Sequence, residues 1–188
     1  MKERIEALIR QSMDLLQTIP RHAGMIEEAV NLIVDCYRSG GKVMICGNGG
    51  SAADSQHIAA ELIGRFKRER RSLPAIALST DTSVLTSLAN DYSFDDVFAR
   101  QVEGLGCGGD ILIMISTSGN SVNVLKAGCR ARELGIKTIA LLGGDGGKIA
   151  EHADLAMIVR SRDTARIQEG HTLIYHIICD LVEEAFSS

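Results

Sequence analysis

Four hydroxyl side chains are concentrated in one short segment, Ser116-Thr117-Ser118-Gly119-Asn120-Ser121. This serine loop follows an apolar run at 110–115 that is typical of a buried strand, and a helix is predicted from about residue 122. The amino end of a helix offers unpaired N–H groups and a positive dipole end, which attract phosphate. Since an ordinary N-cap by Ser121 needs only one hydroxyl, the loop predicts a site for a phosphomonoester. It is neither a Walker A loop nor a G-x-G-x-x-G loop.

A second loop, Gly47-Asn48-Gly49-Gly50-Ser51, follows the apolar run 42–46. Its glycines allow the backbone to approach a ligand closely, and Asn48 and Ser51 offer side-chain hydrogen bonds. A glycine turn after a strand is common in itself. Beside the serine loop, however, this glycine loop predicts a second wall of the same pocket.

His57 and Glu61 lie four residues apart in the helix predicted at about 51–66, so both side chains leave the same face. An imidazole nitrogen and a carboxylate oxygen at this spacing can share a metal ion. Most pairs of this kind are surface hydrogen bonds. The closeness of the glycine loop favours a catalytic or metal-binding pair.

The last predicted helix, at about 166–185, carries Gln168 and His176, with Glu169 and His171 nearby. Its other residues around His176 are apolar, and this pattern favours a core histidine over a functional one. Eight residues span ~12 Å along a helix axis. Gln168 and His176 could therefore reach one metal ion in three ways. Their side chains could extend towards each other, the helix could begin after Gln168, or the two residues could come from different subunits.

Five apolar runs and the helices between them must position these loops. The runs are 42–46, 74–78, 110–115, 137–142 and 154–159. Their alternation with helices predicts a doubly wound α/β domain with a five-stranded parallel sheet and helices on both faces. Ligands of such sheets bind at the carboxyl ends of the strands. Two extra N-terminal helices, at about 2–18 and 23–39, could pack against another subunit.

Composition restricts the function further. The chain has 188 residues, 45% of them apolar, a net charge of −4 and no tryptophan. We expect no nucleic-acid partner, and the basic cluster 65–71 is interpreted as a solvated helix end. No apolar run is long enough to span a membrane. Five cysteines without a C-x-x-C pair, and an N-terminus unlike a signal peptide, predict a reduced protein in the cytoplasm.

Together these motifs resemble one known family. Segments 47–57 with Glu61, 116–121, and 165–168 with His176 are similar to those of bacterial sedoheptulose-7-phosphate isomerases (phosphoheptose isomerases) in the sugar-isomerase, or SIS, domain superfamily. The likeness covers essentially the whole chain. It implies a single SIS domain over 1–188, with N-terminal helices in 1–40 used in oligomerisation and an α/β core at 41–188.

The resemblance implies an aldose–ketose isomerase that converts D-sedoheptulose 7-phosphate to D-glycero-D-manno-heptose 7-phosphate through an enediolate, for heptose and lipopolysaccharide precursors. It implies a homotetramer with active sites at subunit interfaces and one Zn²⁺ per subunit. Glu61 would be the catalytic base and His176 its acid/base partner. The implied zinc ligands are His57, Glu61, Gln168 and His176. The implied substrate contacts are Asn48, Gly49, Gly50, Ser51, Glu61, Asn90, Asp91, Ser116, Thr117, Ser118, Ser121 and Gln168.

Two features keep alternatives open. A carboxylate held by zinc is a weaker base, so Glu61 either changes roles during turnover or has only one of them. Some isomerases carry Asp where this chain has Ala165, and segments 164–168 and 179–181 also resemble a non-catalytic sister group that binds the replication initiator protein. Those relatives lose the residues matching Glu61 and His176, which this chain keeps. Another sugar-phosphate isomerase, or a sensor domain of the kind fused to a DNA-binding segment, is a further alternative.

Overall fold

Five parallel strands form one sheet in the computed structural model, which describes residues 1–187. Ser188, the last residue of the predicted core 41–188, lies outside the described residues. The strands are β1 (Val43–Gly47), β2 (Ala75–Ala77), β3 (Ile111–Ser116), β4 (Lys137–Gly143) and β5 (Leu155–Val159). Their spatial order is β2-β1-β3-β4-β5, with every pairing parallel. The predicted five-stranded α/β fold is confirmed.

Helices cover both faces of this sheet. They are α1 (Lys2–Leu16), α2 (Ala23–Arg38), α3 (Gly50–Ile63), α4 (Thr82–Asp91), α5 (Val97–Leu105), α6 (Val122–Glu133), α7 (Gly147–Ala150) and α8 (Thr164–Glu184). One apolar core lies between the sheet and α2, α3 and α8, and a second lies between the sheet and α5, α6 and α7. Alternate residues of β1 enter opposite cores, Val43 and Ile45 on one side and Met44 and Cys46 on the other. This two-sided burial explains the continuous apolar run.

The segment between β2 and β3 carries two helices that the apolar pattern does not predict. Helix α4 has no fully buried residue, so apolar residues do not recur in its sequence at the spacing of a buried helix face. Helix α5 buries Val97, Phe98 and Val102 in the second core. Its nine residues are too short for a strong periodic signal.

Helix α3 ends at Ile63, before the end predicted at about 66. The cause is Glu183 of α8, whose fully buried carboxylate accepts the backbone N–H groups of Phe66, Lys67 and Arg68, each at 2.6 Å. These N–H groups are therefore unavailable for a helical ladder. The Arg70 guanidinium donates to the Glu61 carbonyl at 2.7 Å and closes the end of α3.

The interpretation of the basic cluster 65–71 as a solvated helix end is wrong in two respects, because α3 ends at Ile63 and the Arg70 side chain is buried. The Arg70 side chain is 1% exposed and lies 3.5 Å from the Glu183 carboxylate. Lys67 and Arg68 each contact Asp180 of α8 at 2.8 Å. The other charged side chains of the cluster are largely exposed, as predicted, so the buried docking contact is made by Arg70 alone, which a pattern of charges cannot distinguish from its solvated neighbours.

The two N-terminal helices differ in their burial. Helix α2 contributes Ile26, Ala29 and Ile33 to the first core, whereas α1 has no buried residue. Helix α1 is attached to α8 by polar contacts, including a 2.8 Å hydrogen bond from Ser12 to Glu169. Its apolar side chains are largely exposed. Within residues 1–187, no helix is both long enough and apolar enough to cross a membrane.

Candidate active site

The glycine loop and the serine loop begin side by side. Gly47 at the end of β1 pairs with Ile115 of β3. The order of the sheet reverses between these strands, because the chain passes from β1 to β2 on one side and from β3 to β4 on the other. Ligands of doubly wound proteins bind outside the carboxyl ends of the strands at this reversal. The two loops that the sequence predicts to share one pocket are therefore neighbours at the expected place.

A reciprocal pair of amides joins the two loops. Asn48 donates to Asn123 at 2.9 Å, and Asn123 donates back to Asn48 at 3.0 Å. Asn123 is buried in the first turn of α6. The Asn48 side chain, predicted as a substrate contact, is thus committed to holding the loops together. The sequence analysis did not predict a role for Asn123. The feature that could have indicated one is a polar amide in the first turn of the helix predicted after the serine loop.

The serine hydroxyls face one another instead of capping the helix. Ser121 occupies the N-cap position of α6, but its side chain makes no capping hydrogen bond. Its Oγ lies 3.0 Å from the Ser116 Oγ, and the Ser118 Oγ lies 3.4 Å from that same atom. Gly119 has a φ of 65°, a left-handed conformation that favours glycine. The N-cap alternative for Ser121 is therefore wrong, and the hydroxyls form a cluster able to surround an anion.

The predicted pair on α3 is formed. His57 Nε2 lies 3.0 Å from Glu61 Oε1. The His57 side chain is 44% exposed and that of Glu61 is 20% exposed, so solvent and ligands reach both. Among the described residues, Glu61 Oε2 makes no hydrogen bond, and this second carboxylate oxygen is free to accept a proton.

Helix α8 brings His176 to the same place. The rings of His57 and His176 meet edge to face, with centroids 5.1 Å apart. Burial lowers the pKa of the His176 imidazole, and the nearby His57 lowers it further. The interpretation of His176 as a core histidine is wrong, because its ring faces His57 and Phe66 instead of the core.

The core histidine of α8 is His171. It is fully buried, and its Nε2 lies 3.0 Å from the Leu142 carbonyl oxygen. Burial lowers its pKa to about 4. The apolar pattern correctly predicts a core histidine on this helix, but that histidine is His171 and not His176.

Gln168 lies at the other end of the contact between α3 and α8. A Cβ atom on Gly50 would overlap the Gln168 amide, so only glycine leaves room for that side chain. Because α8 begins at Thr164, Gln168 lies within the helix, and a later helix start is excluded as a route to His176. Gly50 and His57 are seven residues apart on α3, or ~10 Å. Gln168 is thus beside the glycine loop, well away from the histidine pair.

The donor types at the histidine pair fit zinc, which takes imidazole nitrogens and carboxylate oxygens. Within residues 1–187, however, no three His, Cys, Asp or Glu side chains are arranged to hold a metal ion. Both His57 nitrogens are already engaged, Nε2 with Glu61 and Nδ1 with the Tyr175 hydroxyl at 3.0 Å. A metal site here needs side-chain movement or a ligand from another subunit.

Asn90 and Asp91 lie elsewhere in the single chain. They form the exposed end of α4 and are hydrogen-bonded to each other at 2.8 Å. In the part of the chain that the structure describes, no hydrogen bond connects them to either loop. Their role as substrate contacts stays a prediction.

The arrangement separates two kinds of chemistry. Neutral hydroxyl and N–H donors lie at the serine loop, where they can bind the oxygens of a phosphate. Groups that exchange protons lie along α3 and α8, where Glu61 can accept one and the imidazoles can donate or accept. Such a site suits a phosphorylated substrate whose reacting carbon is distant from its phosphate.

The chain is similar in sequence and structure to phosphoheptose isomerases. A model of the SIS domain matches residues 8–143. A phosphoheptose isomerase of Geobacter sp. (strain M21) is 56% identical over 184 residues, which cover 97% of this chain and 96% of that one. One of Helicobacter pylori (strain P12) is 54% identical over 95% of this chain and 90% of that one. The solved phosphoheptose isomerase of Neisseria gonorrhoeae superposes with a TM-score of 0.93 at 45% identity, covering 97% of this chain and 98% of that one.

Proposed function

The chain belongs to the phosphoheptose isomerases of the SIS domain family, and we propose from this that it interconverts D-sedoheptulose 7-phosphate and D-glycero-D-manno-heptose 7-phosphate. The enzyme is an aldose–ketose isomerase that supplies a heptose phosphate for biosynthesis, including lipopolysaccharide precursors. The observation that carries the proposal is the convergence of Glu61, His57 and His176 near two loops suited to a phosphate.

The serine loop binds the 7-phosphate. Ser116, Ser118 and Ser121 present clustered hydroxyls, and the first turn of α6 adds the positive end of its dipole. The adjacent glycine loop contacts the sugar, because the space beside the backbone at Gly49 is open. Asn90 and Asp91 complete the substrate contacts across a subunit boundary.

Isomerisation moves a proton between C1 and C2 through an enediolate, which requires a base at carbon and a donor at the oxygens. Glu61 is the base, since its Oε2 is free while Oε1 faces His57. His176 exchanges the proton of O1 and O2, and its lowered pKa favours the neutral ring, which can both accept and donate.

One Zn²⁺ per subunit would be held by His57, Glu61 and His176, with Gln168 as the fourth ligand. When bound, zinc polarises the carbonyl oxygen and stabilises developing negative charge. The donor types support this assignment, and the separation of Gln168 from the histidine pair within one chain favours a Gln168 contributed by a neighbouring subunit. The exposed apolar side chains of α1 support association of subunits, and the assembly we propose is a homotetramer. We place the enzyme in the cytoplasm.

Substitution of Glu61 tests this function. Glu61→Gln keeps the shape of the side chain but removes the base, and we expect turnover of sedoheptulose 7-phosphate to fall about 10²–10⁴-fold. The matched control is Glu69→Gln in the exposed segment after α3, where Glu69 forms a surface ion pair with Arg65. Bound zinc is measured in each variant, so that loss of a base is separated from loss of a ligand. Turnover near that of the unmodified enzyme in Glu61→Gln would exclude Glu61 as the base.

A further inference from the structure

The Tyr175 hydroxyl stands between a carboxylate and an imidazole. It lies 3.0 Å from His57 Nδ1 and 3.4 Å from Asp54 Oδ1. Asp54, His57 and Glu61 follow one another on the same face of α3, at spacings of three and four residues. Tyr175 reaches this face from α8, where it is 3% exposed. A continuous chain of polar contacts therefore runs from Asp54 through Tyr175 and His57 to Glu61.

The polar end of Tyr175 is not required for packing. Its neighbours on the buried face of α8 include the apolar Ile174, Ile178 and Cys179, and the buried polar His171 bonds to Leu142 and not to Tyr175. A phenylalanine would fill the same space. The hydroxyl is thus the feature of Tyr175 that calls for an explanation, and its contact with His57, at 3.0 Å, is shorter than that with Asp54, at 3.4 Å.

The state of His57 follows from its two partners. Glu61 Oε1 is an acceptor, so the hydrogen bond of 3.0 Å to Nε2 requires a proton on Nε2. Nδ1 of the neutral ring is then an acceptor, and the Tyr175 hydroxyl donates to it. In this state the Asp54 carboxylate receives no proton from Tyr175, and its buried Oδ2 has no hydrogen-bond partner among the described residues.

The same three residues also fit the other tautomer. If the Nε2 lone pair is needed for a ligand, solvent water takes the proton from Nε2 of the half-exposed ring and another water molecule supplies one to Nδ1, so the charge of the ring is unchanged. The Tyr175 oxygen can then accept from Nδ1, because a hydroxyl both donates and accepts. Its own proton turns towards Asp54 Oδ1. Asp54 supplies the acceptor that this second arrangement needs.

We propose that Tyr175 and Asp54 are positioning residues that hold the His57 ring in place in either tautomer, so that Nε2 donates to Glu61 in one and offers its lone pair to a ligand in the other. The role rests on the proposed function in that Nε2 is taken as the atom that serves zinc and the reaction. Partners behind a ligating histidine fix its tautomer and orientation, and their removal typically weakens metal binding 10–100-fold.

Tyr175→Phe removes the hydroxyl and keeps the ring. The control is Tyr37→Phe, a buried tyrosine whose hydroxyl has no partner among the described residues. We expect Tyr175→Phe to weaken binding of Zn²⁺ by about 10–100-fold, measured by competition with a chromophoric chelator, and Tyr37→Phe to leave it unchanged. In metal-free protein, the ¹⁵N resonance of His57 Nδ1 should move towards that of a nitrogen without a hydrogen bond, in Tyr175→Phe only.

An unchanged His57 Nδ1 resonance in Tyr175→Phe would overturn the inference, since that measurement needs neither zinc nor turnover. An unchanged zinc affinity would overturn the part that concerns the metal. Turnover of sedoheptulose 7-phosphate by the unmodified protein is measured on the same sample. If turnover is absent and the resonance shifts, the proposed function is rejected and the positioning role is retained. If turnover is normal and the resonance does not shift, the positioning role is rejected and the proposed function is retained.

Discussion

His57 of α3 and His176 of α8 meet edge to face, with ring centroids 5.1 Å apart and planes at 79°. They are the middle of three contacts along these two parallel helices. Gln168 meets Gly50 at one end, and Glu183 binds the backbone at 66–68 at the other. The loop that follows α3 is thereby tied to the helix that carries His176. The candidate active site depends on this shared framework.

Ser121→Ala tests whether the serine loop is a phosphate site or a helix cap. Because Ser121 makes no capping hydrogen bond, we expect the free energy of unfolding to change by less than about 0.5 kcal/mol. We expect KM for the sugar phosphate to rise about 10–100-fold, as for the loss of a hydrogen bond to a charged group. Denaturant unfolding and steady-state kinetics measure the two. A stability loss of about 1 kcal/mol with unchanged KM would restore the cap interpretation.

Local patterns predicted what lies within one element. The i, i+4 spacing identified His57 and Glu61, and the serine and glycine loops were placed at strand ends that prove to be neighbours. The sheet followed from its buried strands, because burial on both faces leaves a continuous apolar run. Spacing along a single helix or strand is fixed by its geometry and can be read directly from the chain.

Contacts between distant elements could not be predicted in this way. Nothing local shows that Asn123 pairs with Asn48, or that Glu183 holds the chain after α3. For the same reason the pattern on α8 could not tell that His171, and not His176, is the core residue. These assignments depend on which helices lie side by side, which tertiary packing decides.

Glu183→Gln tests the framework behind the site. The buried carboxylate binds three backbone N–H groups and faces Arg70, so its neutral replacement leaves a buried cation without its partner. We expect a loss of about 3 kcal/mol in the free energy of unfolding. Glu184→Gln is the control, because Glu184 is exposed and lies 3.9 Å from Arg68. Equal stability of the two variants in urea would contradict the framework.

The pH dependence of stability should report His171. Burial lowers its pKa from 6.5 to about 4, so the folded protein keeps this ring neutral where the unfolded chain takes up a proton. Stability from this group is complete above pH 6.5 and falls as the pH drops towards 4, by up to about 1.4 kcal/mol per unit. Unfolding of the unmodified protein and of His171→Gln is compared at several pH values. The same slope in both would contradict the assignment.

Mixing of inactive variants tests whether Gln168 serves the site of a neighbouring subunit. We expect Glu61→Gln and Gln168→Ala, refolded together, to regain about a quarter of the unmodified activity. Half of the randomly formed pairs of subunits contain one copy of each variant, and one of the two sites in such a mixed pair has both Glu61 and Gln168 intact. Glu61→Gln with His176→Gln should regain nothing, because those side chains converge within one chain. Recovery in neither mixture would assign Gln168 to its own chain.

The most direct test of the account is to incubate zinc-loaded protein with sedoheptulose 7-phosphate in D₂O and follow the sugar by NMR, beside His176→Gln. We expect an aldoheptose 7-phosphate with deuterium at C2, formed by the unmodified protein and lost in the variant. A substrate that binds but neither converts nor exchanges would contradict the account, and the non-catalytic, initiator-binding alternative would then take its place.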